Sequence, residues 1–381
     1  MLTSFFFFSS QNGFVLLPLY VKQLGGNEAE IGLVMGIYSV VGIVCQPLLG
    51  PWVDALGRRP FMLAGVACVI ASTILAAVAH SVPVLIVVRI LQGLGFSAFF
   101  VANFSYVLDL IEPSKRGMAL GVYGVSGFAS TAFAPLIAEW LVRRLGFNAL
   151  FAVSGLLVIV AAWFVWQVRE AGRTEVRYVR GLRWAREGVA DVFRRHMGVA
   201  FFFGLGTGTL SAFLPTFAEG IGVRAVALFY TGYAASAIAV RVIGGRLIDT
   251  AGRAAVIIPS MFVLAGAAAL LAGTGYAAEH RVDLPVLSVV IVTGVFSGGA
   301  HGFLYPALAA LVADDAPPAR RGAAIGVFSA IMLCGQAGGA FAFGWLAHAL
   351  GYAVAWTALT ALVLVGALVS MGLERPASAT G

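Results

Sequence analysis

The stretch Gly50-Pro-Trp-Val-Asp54-Ala-Leu-Gly57-Arg58-Arg59 closes the second long apolar segment of this chain, and a related stretch, Gly245-Arg-Leu-Ile-Asp249-Thr-Ala-Gly252-Arg253, closes a later one. A second charged stretch is repeated as well. Asp109-Leu-Ile-Glu-Pro-Ser-Lys-Arg116-Gly117 returns as Asp314-Asp-Ala-Pro-Pro-Ala-Arg-Arg321-Gly322. The chain is therefore a tandem of two related halves, and each half carries charged, glycine-marked hairpins between apolar segments.

The composition indicates a membrane protein. Hydrophobic residues fill 60% of the 381 positions and charged residues only 11%, with a mean hydropathy of +0.96, whereas about a quarter of a soluble protein is charged. Only helices and closed barrels satisfy their backbone polar groups in lipid, and these apolar runs are continuous and long enough for helices of about 20 residues. The sequence predicts twelve spans, at residues 3–21, 29–51, 60–79, 82–107, 116–141, 147–168, 197–219, 225–247, 254–277, 284–312, 321–347 and 352–373.

The basic residues predict the orientation, because cytoplasmic loops of membrane proteins are enriched in Lys and Arg. With both termini in the cytoplasm, most of the 24 basic residues fall on the cytoplasmic side, including those of the arginine-rich segment 169–196. This segment is predicted to link an N-terminal six-helix bundle, residues 1–168, to a C-terminal one, residues 197–381. It is either a helix on the membrane surface or a solvated basic tether. The net charge of +7 is then a matter of topology, and no nucleic-acid binding is predicted.

Two motifs resemble those of the major facilitator superfamily of secondary transporters. One is the Gly-x-x-x-Asp-x-x-Gly-Arg-Arg pattern of residues 50–59, and the other is Arg89-Ile-Leu-Gln-Gly93-Leu-Gly95 in the fourth span. The resemblance implies an all-α polytopic fold of twelve transmembrane helices in two pseudo-symmetric six-helix bundles, working by alternating access. It also implies a charge cluster that closes the cytoplasmic side of the outward-facing carrier. The residues expected in this cluster are Asp54, Arg58, Arg59, Asp109, Arg116, Asp249, Arg253, Asp314 and Arg321. The alternative is that the arginines only set the topology.

The same resemblance implies that the first, fourth, seventh and tenth spans line a substrate cavity. Polar residues in or beside these spans are the candidate substrate ligands: Gln11, Asn12, Arg89, Gln92, Asn103, Tyr233, His301 and Tyr305. Burying an arginine in a bilayer costs at least ~2.5 kcal/mol, which points to a function for Arg89, unless the side chain reaches the outer interface. Gly298, Gly299 and Gly302 are expected to leave room beside His301, and Tyr305 is its expected hydrogen-bond partner. For each residue the alternative is a hydrogen bond between packed helices.

The expected function is transport of a small organic solute. No carboxylate is predicted at mid-membrane, so the residues do not identify a proton carrier, although the resemblance admits protons as a coupling ion. The embedded arginines predict neutral or anionic substrates. No enzyme motif occurs, and no cofactor and no metal site are predicted. We expect a monomeric exporter in a bacterial inner membrane, in contact with the lipid bilayer. Uptake or facilitated diffusion of a metabolite is the main alternative, and a non-transporting membrane receptor is a distant one.

Overall fold

The computed structural model describes residues 1–110, 116–168, 195–315 and 321–374, and every regular element in these ranges is helical. The first half contains α1 (Leu2–Gly13), α2 (Leu17–Gln23), α3 (Glu28–Leu56), α4 (Arg58–Ala77), α5 (Val82–Asp109), α6 (Arg116–Leu145) and α7 (Phe147–Trp166). The second half contains α8 (Arg195–Gly220), α9 (Ala227–Thr250), α10 (Arg253–Glu279), α11 (Val286–Asp315), α12 (Arg321–Leu350) and α13 (Tyr352–Ser370), which a 3-10 turn at Met371–Glu374 follows.

Eleven helices of the described ranges, α3 to α13, are long and apolar enough to cross a membrane. The first predicted span differs, because a 3-10 turn at Phe14–Leu16 divides it into α1 and α2. Pro18 has no N–H to donate to the carbonyl of Phe14, and that carbonyl accepts from the Leu17 N–H instead. The helical, multi-span architecture predicted from the sequence is confirmed, with this one interruption. Helices α3, α5 and α11 also run past the predicted spans, so their charged ends lie beyond the apolar segments.

The repeated motif forms the same turn in both halves. Gly57 separates α3 from α4 with a φ of 101°, and Gly252 lies between α9 and α10 with a φ of 90°. A side chain is strained in this backbone conformation, so glycine is strongly preferred. Each turn places an arginine, Arg58 or Arg253, at the first position of the next helix.

The chain divides into two compact units, Met1–Val179 and Arg180–Gly381. In the first unit α3 packs on α5, α4 packs on α5 and α7, and α1 packs on α6 and α7. In the second unit α9 packs on α11, α10 packs on α11 and α13, and α8 packs on α12 and α13. Each of these helix pairs in one unit has its counterpart in the other, so the sequence repeat is also a repeat of helix packing. Most of the predicted linker, residues 169–194, lies outside the described residues.

Glycine permits the closest helix contacts. A Cβ atom on Gly95 of α5 would lie 2.7 Å from the carbonyl oxygen of Gly65 in α4, and one on Gly298 of α11 would lie 2.0 Å from the carbonyl oxygen of Tyr233 in α9. Because lipid supplies no hydrophobic force between helices, close packing of small residues provides much of their association. Gly298 therefore brings α11 against α9 and does not leave room beside His301, contrary to the expectation from sequence.

Candidate functional site

The charged end of the first unit is organised around Arg58, the first residue of α4. Its Nη2 atom lies 2.9 Å from Asp54 Oδ1, one turn back across the hairpin, and its Nε atom lies 3.0 Å from Asp109 Oδ2 at the end of α5. Its Nη1 atom donates to the carbonyl oxygen of Val53, 3.0 Å away. A cation at the last carbonyls of a helix is favoured by the helix dipole. One guanidinium thus joins the ends of α3, α4 and α5.

The second unit repeats this arrangement around Arg253. The Nε atom of Arg253 lies 3.4 Å from Asp314 Oδ2 at the end of α11, and its Nη1 atom donates to the carbonyl oxygen of Ile248, 3.1 Å away. The contact to a carbonyl five residues back and the contact to an acid across the bundle are the same as those of Arg58. The side chains of Arg116, Asp249 and Arg321, which complete the predicted cluster, lie outside the described part of the chain.

One further side-chain contact lies beside each of the two arginine clusters. Arg59 lies over the ring of Trp166, with its Cζ atom 4.8 Å from the ring centroid, and so connects α4 with the end of α7. His196, at the start of α8, lies 3.3 Å through Nε2 from Asp315 Oδ2, next to Asp314 in α11. Sequence reasoning missed the pair of His196 and Asp315. The doubled acid at 314–315, where the first half has a single Asp109, was the available signal.

The embedded polar residues of the first unit meet around Arg89 in α5, which is only 8% exposed. Its guanidinium lies over the Tyr38 ring at 4.3 Å, donates from Nε to the carbonyl oxygen of Val34 at 3.3 Å, and donates from Nη1 to Gln92 Oε1 at 2.9 Å. Gln11 of α1 reaches the same place, where its Nε2 atom donates to the carbonyl oxygen of Gln92 at 3.5 Å. The structure thus brings together three of the predicted ligands.

Asn12 and Asn103 have different surroundings. Asn12 donates from Nδ2 to the hydroxyls of Ser130 and Thr131 in α6, at 2.8 and 3.1 Å. Asn103, which is buried, donates to the Ser4 hydroxyl of α1 at 2.9 Å. Both side chains connect packed helices, which is the structural alternative considered from the sequence. Asn103 is not in the group formed by Arg89, Gln92 and Gln11, although all lie in α1 or α5.

The second unit holds a polar group of its own. His301 of α11 shares a hydrogen bond between its Nδ1 atom and the hydroxyl of Tyr233 in α9. Tyr305, the hydrogen-bond partner expected from the sequence, instead stacks on the His301 ring with a centroid distance of 6.3 Å. The ring of Phe203 meets the His301 ring edge-on at 5.1 Å. Among the described residues, no group of three His, Cys, Asp or Glu side chains comes together to bind a metal.

Comparisons with known proteins agree with this architecture. The sequence model of the Major Facilitator Superfamily matches residues 1–278 and 197–380. A chloramphenicol resistance protein of Pseudomonas aeruginosa is 32% identical over 176 residues, which cover 45% of this chain and only 40% of that protein. An uncharacterized MFS-type transporter of Salmonella typhimurium is 26% identical over 369 residues, or 93% of this chain and 90% of the relative. A mutant of the nucleoside transporter NupG superimposes with a TM-score of 0.82 at 16% identity over 98% of both chains, which indicates a shared fold.

Proposed function

Because the chain belongs to the major facilitator superfamily of transporters, we propose that it is a monomeric secondary carrier that exports a small organic compound across a bacterial inner membrane. Transport is by alternating access, with both termini in the cytoplasm. The observation that carries this proposal is the pair of matched arginine clusters. Arg58 contacts Asp109 and Arg253 contacts Asp314, and each arginine also binds a carbonyl at the end of the preceding helix. A non-transporting receptor has no need of two such clusters.

The energetics suit a gate that opens and closes in every cycle. Ion pairs at a water-exposed surface contribute only about 0–1 kcal/mol each, and the acids here are partly exposed, at 43% for Asp54 and 34% for Asp109. Several such pairs together bias a two-state equilibrium by a few kcal/mol, yet each pair breaks easily. In this proposal the clusters stabilise the state in which the cytoplasmic side is closed.

The proposed substrates are small and neutral or anionic, and embedded polar residues within each unit are the proposed candidates to contact them. Within the first unit the candidates are Gln11 and Gln92, with Arg89 positioning Gln92, and within the second unit they are Tyr233, His301 and Tyr305. An embedded cation such as Arg89 disfavours a cationic substrate in a medium of low dielectric constant. Asn12 and Asn103 are supporting residues in this proposal, because hydrogen bonds to neighbouring helices occupy their amide groups.

Export is proposed over uptake because the Pseudomonas relative is named for chloramphenicol resistance, and a carrier confers resistance by removing the drug. The second candidate is uptake or facilitated diffusion of a metabolite. It is supported by the likeness to a nucleoside transporter, although a likeness at this identity concerns the fold alone. Protons are the proposed coupling ion for export.

Transport into inside-out membrane vesicles tests the proposal. We expect respiring vesicles that contain the protein to accumulate radiolabelled chloramphenicol above control vesicles, and an uncoupler to abolish the difference. Radiolabelled uridine is the test substrate for the second candidate, uptake or facilitated diffusion. Accumulation of uridine in right-side-out vesicles, without accumulation of chloramphenicol in the inverted ones, would replace export by uptake. Robust movement of a permanently cationic dye would contradict the proposed substrate charge.

A further inference from the structure

Two neighbouring amide side chains in the first unit each have one buried atom with no partner among the described residues. Gln92 of α5 is fully buried, and its Oε1 atom accepts from Arg89 Nη1 at 2.9 Å. Gln11 of α1 donates from Nε2 to the main-chain carbonyl oxygen of Gln92. In the part of the chain that the structure describes, the remaining atoms, Gln92 Nε2 and Gln11 Oε1, are buried and have no hydrogen-bond partner. One is a donor and the other is an acceptor.

The partners fix the orientation of both amides. If the Gln92 amide were turned over, its NH₂ group would face the NH₂ group of Arg89, and two donors would meet. If the Gln11 amide were turned over, its oxygen would face the main-chain carbonyl oxygen of Gln92, and two acceptors would meet. An amide orientation is assigned from such a network. The unused donor therefore belongs to Gln92 and the unused acceptor to Gln11.

Buried polar atoms in proteins nearly always have a hydrogen-bond partner, so an unused donor and an unused acceptor on two side chains of adjoining residues point to a bound group. We propose that Gln11 and Gln92 form a subsite for an amide group of the substrate. Gln92 Nε2 donates to the amide carbonyl, and Gln11 Oε1 accepts from the amide N–H. Carboxamides, lactams and imides present this pair of groups. The inference rests on the proposed function and narrows its substrate class to neutral, amide-bearing compounds.

Arg89 is a positioning residue in this subsite. Its guanidinium is engaged by the carbonyl of Val34, the ring of Tyr38 and Gln92 Oε1. It therefore acts on the substrate through Gln92, by holding the amide with its NH₂ group free to donate. A charge already engaged in this way is consistent with recognition of a neutral group.

Pairs of compounds that differ by one methyl group test the subsite. The probes are chloramphenicol and its derivative methylated at the amide nitrogen, and uridine and its derivative methylated at the imide nitrogen. Binding to the purified full-length carrier is measured at equilibrium, together with counterflow in proteoliposomes. For the parent compound that the carrier transports, we expect binding about tenfold tighter than that of its methylated derivative. A tenfold difference is about the effect of one lost hydrogen bond. Gln11→Met should remove this difference, lowering the affinity of the parent and leaving that of the methylated compound unchanged.

Two further variants complete the test. Gln92→Met should weaken both members of the pair by about tenfold, because both keep the carbonyl. Ser97→Ala is the matched control and should change neither affinity. Ser97 is also a fully buried residue of α5, its hydroxyl has no partner in the part of the chain that the structure describes, and it lies outside the subsite. If Gln11→Met changes the affinity for both members of the pair equally, or for neither, the inference is wrong and the two amides bind water or serve packing. Transport by the wild type would still support the proposed function in that case. If the wild type moves neither parent compound, both proposals fail.

Discussion

Arg58 and Arg253 each perform two tasks with one side chain. The guanidinium neutralises an acid at the end of another helix and also satisfies a carbonyl at the end of the helix before it. Lysine is less suited to both contacts, because its donors radiate from one nitrogen and lack the planar fork of the guanidinium. The geometry therefore explains why arginine follows the turn glycine in both halves of the chain.

Neutralising an acid of the proposed gate should impair transport without unfolding the protein. In Asp54→Asn the ion pair with Arg58 is lost, and with it up to about 1 kcal/mol of bias toward the closed state. We expect a severalfold lower transport rate and greater accessibility of introduced cysteines from the cytoplasmic side. Glu139→Gln is the control, because Glu139 also pairs with an arginine four residues on, Arg143, at 2.8 Å, away from the cluster. If the two variants have the same transport rate and the same cysteine accessibility, Asp54 has no role in the gate and serves only to set the topology.

The hydrogen bond between Tyr233 and His301 should appear as a coupling between their substitutions. Tyr233→Phe and His301→Gln each break the same contact, so the double variant should be hardly worse than the more damaged single one. The measurement is the transport rate of the two single variants and the double variant as a function of pH. A His301→Gln carrier that keeps its pH dependence would exclude titration of His301 from the transport cycle. It would leave a role for His301 in packing or neutral contact.

Whole helices are positioned by the places where they come closest. In the first unit α5 approaches α4 at Gly95, and in the second unit α11 approaches α9 at Gly298, where the Cβ atom of any other residue would meet a backbone carbonyl. The ends of the same helices are held by polar contacts, including the pair of His196 and Asp315 between α8 and α11. Packing glycines along the helix and charged contacts at its end together fix its register.

Adjacent glycines of α11 offer a matched test of this packing. A Cβ atom on Gly298 would lie 2.0 Å from the Tyr233 carbonyl oxygen, whereas one on Gly299 would lie 3.9 Å from a methyl group of Val240. Gly298→Ala should therefore destabilise the protein by about 1–3 kcal/mol or more. Gly299→Ala should be neutral or stabilising by up to about 1 kcal/mol, because alanine is the better helix former. Thermal unfolding in detergent compares the two, and equal melting temperatures would contradict the proposed role of Gly298.

The molecule as a whole is built from two units with one packing pattern, since each helix pair of the first unit has its counterpart in the second. Such a repeat fits a carrier of this superfamily, whose two halves alternate between two arrangements. The exposed tryptophans fit a membrane setting. Trp52 and Trp166 lie near the charged hairpins, and Trp140 and Trp345 lie toward the other ends of their helices, as expected for aromatic residues at the two interfaces.

The proposed orientation can be tested by labelling. In a background that lacks the native Cys45, Cys68 and Cys334, Ala251→Cys marks the turn between α9 and α10, and His280→Cys marks the connection between α10 and α11; both positions are exposed. An impermeant maleimide should label His280→Cys in intact cells and Ala251→Cys only after permeabilisation. The reverse pattern would place the termini outside and contradict the assignment from basic residues.

The sequence by itself determined the helical multi-span fold, the tandem of two halves and the residues of the charged hairpins. These are local properties, because apolar length, the glycine of a turn and the motif around Arg58 are each contained in a short segment. The sequence also identified Gln11, Arg89, Gln92 and His301 as embedded polar residues, since such residues are rare in apolar runs.

Only the tertiary structure decided what these residues contact. The sequence placed Asn103 with Arg89 and Gln92 among the candidate substrate ligands, yet Asn103 donates a hydrogen bond to Ser4 of α1. The glycines beside His301 could equally have left space or brought a helix close, and Gly298 brings α9 close. The partner of His301 is Tyr233 and that of His196 is Asp315, each on another helix. Gln92 bonds to Arg89 of its own helix, which depends on the rotamers of both side chains. Sequence spacing specifies the face on which a side chain lies, but the neighbouring helix that meets this face is chosen by packing of the whole unit.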